Sequence, residues 1–142
     1  MIRAVLDPNV LISGLISSRG APRRLLDAWY DGAIELVVCP MLLGELLGAL
    51  SRPRIARYVH GAESDRLVAA ITRNALGVSD PGDVPQVCAD PNDDYLFALA
   101  RQAGAVLVSG DNRVLEVTDA GVRVLRVAAV LEIVQEGPQR TS

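Results

Sequence analysis

The sequence predicts an α/β protein with a mainly parallel sheet covered by helices on both faces. Short apolar runs of strand length alternate with longer amphipathic runs along the whole chain, the pattern that βαβ units leave in a sequence. The 142 residues, half of them apolar, match one domain, and a chain of this size buries roughly 70% of the surface it exposes when unfolded. A full core is therefore available without metal or disulfide staples. No internal repeat is present. One domain is expected over 1–136, with a loose tail over 137–142.

Ile2–Leu6 is an apolar run that stops at Asp7-Pro8-Asn9, a buried strand followed by a helix start continuing to about Ile16. Ser17–Ala21 is a loop, and Pro22 opens a helix with Leu25, Leu26, Trp29 and Tyr30 on one side. Ile34–Val38 is the next strand, and Pro40 starts a helix that ends at Ser51, before Pro53. A further amphipathic helix is expected over Ala62–Leu76, with Leu67, Ala70, Ile71 and Asn74 in register and Gly77 as its C-cap. Ser79–Gln86 reads as a loop. Pro91–Ala103 is helical, Ala105–Val108 a strand, Asn112–Thr118 a short helix, Val122–Leu125 a strand, and Ala128–Gln135 the last helix.

Ligands of such sheets bind beyond the carboxyl ends of the strands. Asp7 directly follows the first strand, and Asp111 follows Ala105–Val108 after only Ser109-Gly110. Adjacent parallel strands would send both carboxylates into one crevice. Glu45 lies on an otherwise greasy helix, in one stripe with Met41, Gly48 and Arg52, and burying it would be costly without a cation or a polar cleft. Gly44 and Gly48 beside it would allow a close approach to the backbone. Asp93 shares a helical stripe with Leu96 and Ala100, whereas Asp94 falls in register with Arg101 on a different face, so Asp93 is the preferred site residue. Asn9, Asp90 and Ser109 are secondary candidates. Each aspartate also has a purely structural use, since Asp7 and Asp90 precede prolines as N-caps, Asp93 could close a capping box, and Asp111 could cap the helix after it. Capping and metal binding are compatible.

Four carboxylates in one crevice repel one another and raise their own pKa values, so a cation is expected among them. Oxygen ligation without His or Cys suits Mg²⁺ or Mn²⁺. The chemistry that paired hard cations support is in-line displacement at phosphorus.

Composition narrows the alternatives. The net charge of −3 argues against coating nucleic acid by bulk electrostatics. All fourteen basic residues are arginine, which removes phosphatases of the haloacid-dehalogenase type, response-regulator receivers and P-loop hydrolases, each of which needs a lysine. His60 stands alone, leaving little for a histidine-based triad. Cys39 and Cys88 lack metal-ligand spacing and are expected as free thiols. The start carries no signal-peptide pattern and no run is long enough to span a bilayer, so a soluble cytoplasmic protein is expected.

Val5-Leu6-Asp7-Pro8-Asn9-Val10-Leu11-Ile12-Ser13 resembles the first motif of PIN domains, and Cys39-Pro40-Met41-Leu42-Leu43-Gly44-Glu45-Leu46 fits the second. Asp90-Pro91-Asn92-Asp93-Asp94-Tyr95-Leu96-Phe97-Ala98-Leu99-Ala100 resembles the third, and Val106-Leu107-Val108-Ser109-Gly110-Asp111 the fourth. The ordered set, from residue 2 to about 130, looks most like the bacterial toxin components of toxin–antitoxin pairs, relatives of VapC toxins. That resemblance implies a parallel five-stranded sheet flanked by helices and a Mg²⁺- or Mn²⁺-dependent endoribonuclease with Asp7, Glu45, Asp93 and Asp111 as catalytic metal ligands. It also implies a homodimer silenced by an antitoxin protein. One departure is Pro8, where the family usually carries a small hydroxyl residue. Arg19, Arg23, Arg24 and Arg52 are candidate handles for RNA phosphates. The alternative from another class is a catalytically inactive PIN-fold module that binds RNA or protein.

Overall fold

The computed structural model describes residues 1–118 and 121–140, with side chains through 135. Five parallel strands form one sheet in the order β3-β2-β1-β4-β5. They are β1 (Ile2–Leu6), β2 (Ile34–Val38), β3 (Leu76–Gly77), β4 (Val106–Val108) and β5 (Val124–Leu125). Between β1 and β2 lie α1 (Pro8–Ile16) and α2 (Ala21–Tyr30), and between β2 and β3 lie α3 (Pro40–Ser51), α4 (Pro53–Ala56) and α5 (Gly61–Asn74). A 3-10 turn (Pro91–Asp93) leads into α6 (Asp94–Ala103), followed after β4 by α7 (Asn112–Leu115) and after β5 by α8 (Val127–Arg140).

The central strands are apolar on both faces because helices cover both. Ala4, Val5, Leu36, Val37, Leu107 and Val108 are fully buried, as a parallel sheet requires. Against them pack Leu25, Leu42, Leu46, Leu67, Leu96 and Leu99, each without solvent exposure. Gly104, at φ 63°, ends α6 in the left-handed conformation that glycine adopts without strain.

Several boundaries differ from expectation, and the largest difference is a strand. The helix expected over Ala62–Leu76 stops at Asn74, and Leu76–Gly77 pairs with Val37 and Val38 as the edge strand β3. The backbone groups on the outer side of β2 need partners, and a short edge strand supplies them. Asn74, expected on the buried stripe, is exposed, whereas Leu67, Ala70 and Ile71 are buried. Pro53 opens the unexpected turn α4, since proline suits a first helical position. The helix expected from Pro91 begins with the 3-10 turn, and α7 ends at Leu115 rather than Thr118. The expected loose tail over 137–142 falls on 137–140, where backbone alone is described, and on 141–142, which lie outside the described residues.

Two glycines show how closely the helices are seated. A methyl group on Gly14 would lie 2.9 Å from the Pro22 carbonyl oxygen and 3.3 Å from Leu26 Cβ, so α1 and α2 touch through a bare backbone. A methyl group on Gly44, in α3, would meet nothing within 4 Å. Gly14→Ala is therefore expected to destabilise by about 1–3 kcal/mol through overpacking. Gly44→Ala should be neutral or stabilising by up to about 1 kcal/mol, the gain in helix propensity. Urea unfolding midpoints of the two variants check both signs.

Candidate functional site

The switch in strand order lies at β1, whose chain continuation goes to one side while β4 joins the other. Leu6 pairs with Val108, and the Asp7 N–H donates to the Val108 carbonyl at 2.9 Å. This register sets Asp7 beside Ser109 just past the strand ends. Asp7 is 4% exposed, and its carboxylate accepts from the Asn9 N–H and the Ser109 hydroxyl, both at 3.0 Å. Ser109, fully buried, also accepts from the Asp111 N–H at 3.1 Å and so joins the first and fourth motifs. Pro8 offers no hydroxyl at its own position, and Ser109 supplies one to Asp7 from the neighbouring strand.

Asp93 ends the 3-10 turn and is half-buried. Desolvation first, then the charges of Asp7, Asp90, Asp111 and Glu45, push its pKa up to about 6. Asp93 thus feels the charges of the other three predicted acids and of Asp90, and Asp7 feels that of Asp111. Burial raises the Asp7 pKa as well, against the lowering effect of its two hydrogen-bond donors, and Asp111 adds a small upward push. Asp90 caps the 3-10 turn by accepting from the Asn92 N–H at 3.0 Å.

Asp111 and Glu45 each have a partner that the sequence did not single out. Asp111 caps α7 through the Arg113 N–H at 2.9 Å and takes the Arg113 guanidinium in a fork, Nε at 3.2 Å and Nη2 at 2.9 Å. These contacts hold the Asp111 carboxyl below its ordinary range. Glu45 is exposed on α3 and accepts a short hydrogen bond from the Tyr95 hydroxyl of α6. Tyr95 itself is buried, and desolvation together with the Glu45 carboxylate drives its pKa far up.

This corrects the expected burial of the Glu45 stripe. Met41, Glu45, Gly48 and Arg52 form the solvent face of α3, which buries Leu42, Leu46 and Ala49 instead, and a methyl group on Gly44 or Gly48 would touch nothing in the chain. Asp94 also departs from expectation. At 5% exposure it is more buried than Asp93, because the loop before it folds over that face and donates the N–H groups of Val87 (3.1 Å) and Cys88 (2.8 Å) to its carboxylate. A carboxylate so occupied holds the loop in place. Both cysteines are free and buried.

A cleft of about 310 Å³ opens beside the acids, lined by Asp7, Asn9, Val10, Ser13, Gly110 and Asp111, with Pro22 and Val127 at its sides. Of the candidate phosphate handles, Arg19, Arg24 and Arg52 are exposed. Arg23 is tied to Glu63 at 3.1 Å and Asp27 at 3.4 Å, so its guanidinium is already engaged. Among the described residues, no group of three acidic, cysteine or histidine side chains stands close enough to hold a metal ion. The donor chemistry nonetheless fits a hard divalent cation. The candidate donors are all carboxylate oxygens, and Asp93 carries repulsion from four neighbouring acids.

A carboxyl whose pKa is raised on folding binds more protons when folded, so its contribution to stability is lost as pH rises through the folded value. Without added metal, Asp93→Asn is expected to be more stable than the parent at pH 7, with the difference shrinking as pH falls below about 6. Urea unfolding in chelator across pH 5–8, with both proteins, checks the sign and the window.

Comparison with known proteins bears on this geometry. A family profile described as the PIN domain matches residues 3–113, a span that includes all four acids. The uncharacterized protein MJ1680 of Methanocaldococcus jannaschii is 26% identical over 120 residues, covering 83% of this chain and 76% of that protein. The crystal structure of PAE2754 from Pyrobaculum aerophilum superposes with a TM-score of 0.60 at 17% identity, covering 95% of this chain and 90% of that one. VapBC2 from Rickettsia felis, bound to a DNA fragment from their promoter, superposes at 0.57 with 10% identity, covering 88% of this chain and 98% of that one. At such identities the likeness is one of fold. With the profile spanning most of its length and the parallel five-stranded sheet in place, this chain belongs to the PIN-domain family.

Proposed function

We propose that this protein is a metal-dependent endoribonuclease that hydrolyses RNA phosphodiester bonds by in-line displacement, and that it is the toxin of a toxin–antitoxin pair. The observation that carries the nuclease reading is that Asp7 and Asp111 line one cleft at the carboxyl ends of β1 and β4 while Asp93 feels both of them and Glu45. PIN domains are in general nucleases that use divalent metal ions. The toxin reading draws on the resemblance of the motifs and on the likeness of fold to VapBC2 and to FitAB bound to the IR36 DNA fragment. The latter superposes with a TM-score of 0.51 at 19% identity, covering 87% of this chain and 94% of that one. An antitoxin protein as partner, a homodimer and a cytoplasmic setting belong to the same proposal.

Asp7, Glu45, Asp93 and Asp111 would hold Mg²⁺ or Mn²⁺. Bound there, the cations supply positive charge to a water nucleophile and to the leaving 3′-oxygen. The protein's own part is positioning. Asn9 and Ser109 fix the Asp7 carboxylate by two hydrogen bonds, and Tyr95 tethers the otherwise exposed Glu45. Arg19, Arg24 and Arg52, exposed, would draw neighbouring phosphates to the acids without reading sequence.

Purified protein incubated with mixed-sequence single-stranded RNA tests this, with Mn²⁺, with Mg²⁺ and with chelator. Cleavage is expected with either metal and not with chelator, and Asp7→Asn or Asp93→Asn should each reduce it by roughly 100-fold or more, the scale of a lost metal ligand. Metal-independent RNA binding without cleavage, indifferent to Asp7→Asn, would favour the binding-module alternative. Tyr95→Phe should lower kcat by about tenfold with a smaller change in KM, because it frees Glu45 without removing a ligand. Steady-state kinetics beside a thermal melt separate that effect from lost folding.

A further inference from the structure

Arg113 is the cation that the acidic cluster already contains. Its guanidinium forks onto the Asp111 carboxylate at 3.2 and 2.9 Å while its own N–H caps the same group. Its charge also reaches Asp90 and Asp93, so it faces the cluster as a whole. The backbone there is fixed, because the Cys88 thiol meets the Arg113 carbonyl at 3.8 Å and Val114 is fully buried beneath it. The side chain is more than half exposed. On its other side lies a separate cleft of about 470 Å³, lined by Arg113 with Gln86, Ala89, Glu116 and Thr118. A guanidinium leaving Asp111 therefore has room to turn into and a second carboxylate within the same lining.

We propose that Arg113 is a positioning residue that competes with the divalent cation for the Asp111 carboxylate, occupying it in the metal-free protein and turning toward the Glu116 cleft when the ion binds. This rests on the metal-dependent reading above and specifies which group partners Asp111 when no ion is bound. A guanidinium fork and a hard cation use the same lone pairs of the two carboxylate oxygens, so both cannot hold them fully at once. Arg113 thereby sets the threshold of metal concentration at which the site fills.

Mn²⁺ titration followed by the electron paramagnetic resonance of the free ion, with no RNA present, reads this directly. Arg113→Gln is expected to tighten Mn²⁺ binding about threefold, the scale of an exposed ion pair. Arg113→Lys separates competition from general repulsion, since an ammonium keeps the charge but cannot form the fork. Lysine behaving like glutamine supports the proposal, as does Mn²⁺ binding that emerges only in the variants. Lysine behaving like arginine means bulk charge alone and overturns it, and so does unchanged or weaker binding in Arg113→Gln. Absence of Mn²⁺ binding in the parent and both variants would instead overturn the metal-dependent reading itself.

Discussion

The pairing of β1 with β4 is the constraint on which the site depends. Leu6 opposite Val108, closed by the hydrogen bond from the Asp7 N–H to the Val108 carbonyl, sets the end of one strand level with the end of the other. Side chains in a strand alternate between faces, so a slip of one residue would turn Leu107 and Val108 to the wrong sides and carry Ser109 away from Asp7. Hydrophobic burial of those residues therefore enforces the contact between Ser109 and Asp7. The polar site inherits its precision from the apolar register.

That precision lets the fold keep like charges together. Each acid has a different local environment. Asp7 is buried and held by two donors, Asp93 sits among other acids and rises, Asp111 is held by an arginine, and Glu45 is exposed but tethered by a tyrosine. Asp7, Asp93 and Asp111 thus differ in their readiness to carry charge. Repulsion among the acids is relieved in part by Arg113 on Asp111 and by the donors to Asp7, and the elements carrying them are anchored by residues such as Leu42, Leu96 and Leu107 with no exposure.

Much of this was legible in the chain because it followed from local patterns. The strands Ile2–Leu6 and Ile34–Val38 stand with the same ends in sequence and structure, since an uninterrupted apolar run ending in Asp7-Pro8 or Cys39-Pro40 defines its own limits. The parallel five-stranded sheet, implied by the motif resemblance, is present. What escaped depends on tertiary partners. Leu76–Gly77 is a strand only because β2 has an open edge, and its two residues carry no periodicity. Tyr95 and Arg113 look like ordinary core and surface residues in the chain, because their partners lie 50 residues away in one case and only two, within a cap, in the other. The start of α3 is capped by Asp80, which accepts from the Met41 N–H at 2.8 Å across 39 residues, a contact no local signal announces.

Asp94 adds a different kind of consequence. The stretch leading into α6 is fastened to that buried carboxylate by the main-chain N–H groups of Val87 and Cys88, not by their side chains. Main-chain donors are the same for nineteen of the twenty amino acids. Drift along this stretch is therefore cheap so far as Asp94 is concerned, and prolines already stand at Pro81 and Pro85. At 87 and 88 the rule inverts: a proline at either position would delete one of the two donors to a buried carboxyl group. The segment is thus permissive in what it displays to solvent and strict in two atoms that no side-chain comparison reveals.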